Sequence, residues 1–318
     1  MKECQMKRIV IALGGNALAE QGKPATAEAQ LEVVEKTSQY IADILEKGYH
    51  ICLAHGNGPQ VGRIVLQNEN CDSEATPAMP FDVCGAMSQG YIGYHMAQGL
   101  GKVLQDRGSD IKVACVVTQS VVDKDDPWFK NPTKPVGPFY SEEEAKKISE
   151  TKGYTMKEDA GRGWRRVVAS PNPVRIVEID AIRALDEAGI VPICVGGGGI
   201  PVIVNDDGYL EGAAAVIDKD LGSELLAENL DSDALVILTA VPKVYINYNK
   251  PDQKALDHLT IEEAKKYMEE GHFASGSMLP KIEAALKFAE SKPGRVAIIT
   301  SLDKAVDALE GKDGTWIG

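Results

Sequence analysis

The 318 residues are 44% apolar and 25% charged, a balance that supports a full core and sets aside disordered and fibrous classes. Thirty-four Lys and Arg stand against 47 Asp and Glu, a net charge of −13, so neither nucleic acid nor an anionic membrane meets the basic face it needs. Any anionic ligand therefore has to be held by a local cluster of cations or backbone amides.

Residues 1–5 are polar and lead directly into a strand, unlike a secretory signal. Residues 8–13, Arg-Ile-Val-Ile-Ala-Leu, form a continuous apolar run of the kind buried on both faces of a parallel sheet, ending at Gly14-Gly15-Asn16. Leu31, Val34, Ile41, Ile44 and Leu45 keep to one helical face, with Gly48 as the stop. Residues 49–54 repeat the strand theme and end at Gly56-Asn57-Gly58-Pro59, with a helix predicted from about Gln60. A third strand is predicted over 112–118. The stretch 123–164, rich in proline, glycine and charge, breaks the alternation and reads as a protruding insertion.

A helix predicted over 174–187 is capped by Gly189 and followed by a strand over 190–195 and the turn Gly196-Gly197-Gly198-Gly199. A hairpin over 201–210, a helix over 221–229, a strand over 234–239, helices over 261–269 and 280–290, and a strand over 296–300 complete the pattern. Alternating strands and helices imply an α/β fold, a mainly parallel open sheet sandwiched between helices, with ligands at the carboxyl ends of its strands. The longest mostly apolar run, 190–204, is interrupted by four glycines and two prolines and falls short of the ~20 residues of a membrane helix. Six cysteines contain no Cys-x-x-Cys pair, and Cys52, Cys115 and Cys194 sit in apolar strand-like runs. Reduced, buried thiols and a cytoplasmic location are expected.

Two glycine turns directly after buried strands, each with an asparagine, can present bare amides and a helix N-terminus to an anion. The motif Gly-Lys-Ser/Thr of a P-loop is absent, and Gly196 to Gly199 leads into another strand rather than the helix a dinucleotide fingerprint needs. Lys281, in the first turn of a predicted helix, opposes the helix dipole by ~0.3–1 kcal/mol unless an anion offsets it. Lys219 lies between Asp218 and Asp220, where a phosphate contact and a local ion pair are equally open readings. Lys134 stands alone in the proline-stiffened loop Asn131-Pro-Thr-Lys-Pro-Val-Gly137, suited to a lid. The cluster Arg162, Trp164, Arg165 and Arg166 is read as pinning the insertion to the body. The histidines and cysteines lack metal-ligand spacing, and no Ser-His-Asp arrangement stands out. Met79, Met87 and Met96 read as core and interface residues.

These motifs resemble those of the amino-acid kinase family, and within it the carbamate kinases. The segments that carry the resemblance are Ala12-Leu-Gly-Gly-Asn-Ala17, His55-Gly-Asn-Gly-Pro-Gln-Val-Gly62, Cys84-Gly-Ala-Met-Ser-Gln-Gly90, Asn131-Pro-Thr-Lys-Pro-Val-Gly137, Glu158-Asp-Ala-Gly-Arg-Gly-Trp164, Val216-Ile-Asp-Lys-Asp220 and Gly276-Ser-Met-Leu-Pro-Lys281, spread over almost the whole chain. The Lys134 loop and the Asp-Lys-Asp stretch point to the narrower group.

The resemblance implies one three-layer kinase domain over 1–318. Within it, an acceptor lobe comprises 6–118 and 165–195, a protruding lid 119–164, and a nucleotide lobe 196–318. It implies reversible transfer between ATP and carbamate, giving ADP and carbamoyl phosphate, with Mg²⁺ held mainly by the nucleotide phosphates and no metal ligand from the protein. Many members run the reaction toward ATP, in arginine metabolism, as homodimers. Lys134, Lys219, Lys281 and Asp220 are the implied catalytic residues, with Asp220 organising. Gly14, Gly15, Asn16, Gly56, Asn57, Gly58, Gly197 and Gly198 are the implied phosphate and substrate contacts. Thr239, Ala240, Val241, Tyr245, Gly276, Ser277 and Met278 are the implied nucleotide contacts. An already anionic carbamate oxygen needs no general base, which agrees with the absence of an acid/base pair.

Two positions depart from the family pattern. Gly222 stands where members usually carry alanine, and residues 1–5 extend beyond the usual start, with Met6 as the alternative initiator. The competing readings are a sister kinase of another small carboxylate or phosphate, disfavoured by Lys134, and a nucleotide-binding regulator without turnover, disfavoured by the three lysines with Asp220.

Overall fold

A computed structural model describes residues 8–18, 26–159, 161–274 and 276–318. Residues 1–5 and the alternative initiator Met6 lie outside the described residues. The apolar run Arg8–Leu13 is a central strand of an eight-stranded sheet. On one side of it stand Ala234–Thr239, Val296–Ser301, Thr315–Ile317 and His258–Leu259, and on the other His50–His55, Ile190–Ile193 and Lys112–Cys115. Neighbours run parallel except Val296–Ser301 against Thr315–Ile317.

The alternation of side chains along Arg8–Leu13 divides the core in two. Val10 and Ala12 join one cluster with Leu226, Ile282 and Phe288, from helices Lys219–Asn229 and Leu279–Ser291. Ile9, Ile11 and Leu13 join the other with Ile41, Ile44, Leu100 and Leu104, from helices Ala27–Glu46 and Phe81–Asp106. Helices thus cover both faces, which is why this strand carries no polar alternation. Among the described residues, no helix is long and apolar enough to cross a membrane.

The tertiary structure corrects several elements. The strand predicted over 112–118 ends at Cys115, in the large sheet at its edge with Cys115 exposed rather than buried, and a strand that was not predicted, Gln119–Val122, pairs with Ile200–Val204 and Pro173–Ile176 in a second sheet. Residues 174–187 are not one helix, because Pro173–Ile176 is recruited as an edge strand before helix Ile179–Glu187 begins. The 26-residue helix Phe81–Asp106 had no predicted counterpart. Its glycines lower helix propensity, yet Gly99 is needed: a Cβ there would stand 2.8 Å from Val34 Cγ1 on the neighbouring helix.

The insertion is ordered. Lys134–Tyr140, Trp164–Val168 and Met156–Glu158 form a small antiparallel sheet, backed by helix Glu142–Lys152. The expected pinning to the body is made by Arg166 of the basic cluster, through Glu69, whereas Arg162 and Arg165 bond within the insertion. Arg165 donates to the carbonyl of Gly137 at 2.9 and 3.1 Å and to Asp159 at 3.2 Å. Glu69, on helix Gly58–Asn70, accepts from Lys152 (2.7 Å), Tyr154 (2.7 Å) and Arg166 (3.3 Å). Burial opposes ionisation of Glu69, but these donors outweigh it and hold its carboxyl below the usual range.

At the end of strand Ile190–Ile193, Val195 is wholly buried and adopts φ 51°, ψ 35°, a left-handed conformation that β-branched residues rarely enter. Its amide donates to Thr118 Oγ1 at 3.0 Å, and its carbonyl accepts from the amide of Gly198 at 3.0 Å. Val195→Gly would relieve about 1–2 kcal/mol of backbone strain. It would also forfeit about 1.5–3 kcal/mol of side-chain burial and leave a cavity. Packing wins, so the urea unfolding midpoint of Val195→Gly is expected to fall, and a raised midpoint would show that strain dominates.

Candidate active site

Loops at the carboxyl ends of the parallel strands converge on a cleft of about 250 Å³. Gly15 reaches it from the first strand, Gly56, Asn57 and Gly58 from the second, and Gly197 from the turn after Ile190–Ile193. Gly276, Ser277, Lys281 and Lys219 with Asp220 form the opposite wall, and Lys134 enters from the small sheet. Helices Gly58–Asn70, Lys219–Asn229 and Leu279–Ser291 all begin at this cleft, so three positive dipole ends surround it.

Asp220 is the centre of the charge arrangement. It is 2% exposed; Lys219 Nζ donates to its Oδ1 and Lys281 Nζ donates to its Oδ2 at 3.1 Å. Asp218 caps the same helix, its Oδ1 accepting from the amide of Asp220 at 2.9 Å. Its other oxygen accepts from Lys134 at 2.5 Å. Both readings of Lys219 are therefore compatible, since its ion pair with Asp220 holds the ammonium at the cleft wall. Burial opposes the charge on Asp220, yet the two ammonium groups more than compensate and keep the carboxyl below its usual value. Burial pushes Lys219 down, reinforced by the charge of Lys281 and opposed by Asp220. Three ammonium groups face two carboxylates, and the surplus cation suits an anionic ligand.

Gly56 lies under the Lys219 stem, where a Cβ would come within 3.2 Å of Cδ. Gly222 permits another close approach: a Cβ would stand 2.6 Å from the Cα of Gly198. Helix Lys219–Asn229 therefore seats directly on the glycine turn.

Other predicted residues lie behind or beside the cleft. Gly14 is pressed against the carbonyl of Leu238, and Gly198 against Ile217. Thr239 ends strand Ala234–Thr239, Ala240 and Val241 follow it, and Tyr245 lies in strand Val244–Ile246; none of them lines this cleft. Met278 precedes helix Leu279–Ser291 and packs on the core. The Asn16 side chain lies outside the described residues.

Sequence reasoning assigned no role to Gln89, which the structure makes a buried clamp. Its amide nitrogen donates to the carbonyls of Gly196 (2.8 Å) and Thr118 (3.1 Å), and its oxygen accepts from the Thr118 amide at 2.7 Å. Its neighbour Ser88 accepts from Asn57 Nδ2 at 2.8 Å. Both residues lie in the Cys84-to-Gly90 segment, a signal that was visible without an assignable task. His55 is buried, and its Nδ1 lies 3.0 Å from the Gly56 carbonyl, so that nitrogen carries the proton. Burial lowers its pKa to about 4, making it a neutral support for the loop. The cleft thus offers cations and amides without a histidine base.

Comparison with known proteins gives a consistent picture. Residues 7–300 match the model of the amino acid kinase family. A carbamate kinase of Clostridium perfringens is 55% identical over 98% of this chain and 99% of its own length, and one of Thermococcus kodakarensis is 53% identical over 98% and 99%. Among solved structures, the carbamate kinase from Giardia lamblia bound to AMP-PNP superposes with a TM-score of 0.91 at 47% identity, covering 98% of each chain.

The charge arrangement has a signature in stability. In the native protein, depression of the Asp220 carboxyl contributes stability that is present above the unfolded aspartate value and is lost as pH falls. With Lys219→Met and Lys281→Met together, the buried carboxylate has lost both counter-charges and its pKa must rise. That variant should lose stability as pH increases from about 5 to about 8, reversing the sign of this contribution. At the upper pH the deficit should reach about 3–5 kcal/mol relative to the native chain. Urea unfolding at both pH values measures it; equal deficits at the two would show that Asp220 does not depend on these lysines.

Proposed function

We infer the reaction from one premise: this chain belongs to the amino acid kinase family. Its activity is that of a carbamate kinase, the reversible transfer of a phosphoryl group between ATP and carbamate, with ADP and carbamoyl phosphate on the other side. The observation that carries the chemistry is Asp220 between Lys219 and Lys281, with Lys134 held on Asp218 beside it.

Carbamate brings its own anionic oxygen, so no proton has to be removed before attack. The barrier lies in bringing two mutually repelling anions into line and stabilising the charge on the transferring group. Lys219 and Lys281 supply that charge at the cleft wall, and Asp220 aims them. Gly15, Asn57, Gly58 and Gly197 offer polar groups to the transferring phosphate and its acceptor. Lys134 reaches the acceptor from the small sheet, and its bond to Asp218 exchanges for substrate when the cleft fills.

Gly276 and Ser277, at the cleft, mark the nucleotide side, with residues 239–241, Tyr245 and Met278 extending it. The solved relative bound to AMP-PNP supports an adenine nucleotide as ligand. On this reading the acceptor belongs to the lobe formed by 6–118 and 165–195, the nucleotide to 196–318, and the lid is 119–164. Mg²⁺ enters with the nucleotide and neutralises its phosphates. Asp220 is already engaged by two lysines, and phosphate oxygens and water serve as the main ligands, suited to an ion that dehydrates reluctantly. The assembly is a homodimer: Met87 and Tyr94, 41% and 61% exposed, lie seven residues apart on one face of helix Phe81–Asp106, an apolar surface that a second copy can cover.

Supplying ADP, Mg²⁺ and carbamoyl phosphate should yield ATP; no ATP above the chemical background would sink the assignment. Lys219→Ala and Lys281→Ala should each lower kcat by about 10²–10³ while the protein remains folded. Wild-type turnover in both would remove them from the chemistry. Lys134→Ala should raise the KM for carbamoyl phosphate more than that for ADP, and equal changes would contradict its place on the acceptor side. Light scattering after size exclusion should report a dimer for the native chain and a monomer for Tyr94→Glu; an unchanged mass for the variant would move the interface elsewhere.

A further inference from the structure

Helices Lys219–Asn229 and Leu279–Ser291 carry Lys219, Asp220 and Lys281, so their mutual register decides whether both ammonium groups meet one carboxylate. They are bridged at two levels. At the cleft, Asp220 accepts from Lys281. One turn further, Glu224 Oε2 accepts from Lys287 Nζ at 2.6 Å. The four residues from Asp220 to Glu224 span ~6 Å of helix, and the six from Lys281 to Lys287 span ~9 Å. Leu226, Ile282 and Phe288 pack the helices together and Lys292 meets Asp231 just beyond both of them; the two bridges at separate heights add a polar constraint on slide and rotation at the cleft end.

Glu224 is costly for a residue outside the cleft. It is 0% exposed while the Lys287 side chain is 51% exposed, and its Oε1 has no hydrogen-bond partner among the described residues. Burial lifts its carboxyl to about 7 despite Lys287, with Glu228 adding to the rise. An apolar side chain of similar volume would fill this place without the desolvation cost. Glu224 does not line the cleft, so direct contact with substrate does not account for it.

The geometry points to Glu224 as a positioning residue: through Lys287 it holds helix Leu279–Ser291 in register on helix Lys219–Asn229 and so keeps Lys219 and Lys281 on the two oxygens of Asp220. The consequence for turnover rests on the proposed reaction; the effect on the lysines does not.

The test uses the full-length chain with Glu224→Gln, Lys287→Met, their combination, and Lys287→Arg as the conservative variant. In ATP formation from ADP and carbamoyl phosphate, Glu224→Gln and Lys287→Met should each lower kcat about ten- to hundredfold, as small misplacements of catalytic groups do. The KM for ADP should stay within about twofold, because the loss falls on groups acting at the transferring phosphate. The double variant should be no worse than the poorer single one, the mark of a shared interaction, and Lys287→Arg should recover most of the loss. Unchanged kcat with a lowered Tm, or losses that multiply in the double variant, would overturn the proposal by reducing the pair to packing. If Glu224→Gln does not fold, the half-exposed Lys287→Met decides alone. Lysine ¹³Cε NMR, with Lys281 assigned through Lys281→Arg, separates the two claims. The Lys281 resonance should move in Lys287→Met even if the wild-type chain makes no ATP, an outcome that would remove the reaction but retain the positioning; an unmoved resonance would remove the positioning.

Discussion

The active cleft depends on one constraint, that a carboxylate buried as deeply as Asp220 cannot stand without compensating charge. Lys219 and Lys281 provide it from two different helices, so a single ion cluster ties the starts of both helices to one point. The same bonds that make the buried charge tolerable aim two ammonium groups into the cleft. The positioning of the cations follows from satisfying Asp220 once the two helices stand in register. The surrounding chain is strongly acidic, and this local surplus of cations lets it receive an anion that the protein as a whole would repel.

Behind the charges lies a neutral scaffold. Gln89 joins the loops at Thr118 and Gly196 through three hydrogen bonds, and neutral His55 supports Gly56. Val195 accepts an unfavourable backbone conformation at the start of the third turn, held there by burial and by bonds to Thr118 and Gly198. Close seating of Gly222 on Gly198 joins this scaffold to the helix that bears Asp220. Loops that must keep amides bare for a ligand cannot use those amides to stabilise themselves. Their order comes from side chains that approach from other elements.

The small sheet is secured at two places with different character. Away from the cleft, Glu69 gathers three donors from it. At the cleft, Lys134 makes one bond to Asp218, with 38% of its side chain exposed. The multidentate, hydrogen-bonded attachment is an anchor, whereas the single, partly solvated ion pair is worth little by itself and is the contact a substrate can replace. Lys134 is thereby held at the cleft by a partner it can exchange.

Much of this was legible in the residues themselves. Continuous apolar runs such as residues 8–13 announced strands covered on both faces, glycine turns marked their carboxyl ends, and Lys134, Lys219, Asp220 and Lys281 were found by motif and by the oddity of cations at helix starts. Local chemistry suffices for such features, because strand burial, turn geometry and helix dipoles are written in neighbouring residues. Tertiary structure alone decided that residues 112–122 divide between two sheets, that Pro173–Ile176 becomes an edge strand, and that a glycine-rich segment becomes helix Phe81–Asp106. It also decided the tasks of Gln89 and Glu224, whose partners lie 29 to 107 and 63 residues away in the chain. The physical reason is the same in each case: a hydrogen bond or ion pair between distant residues leaves no periodic trace, and its worth depends on burial that exists only once the chain has folded.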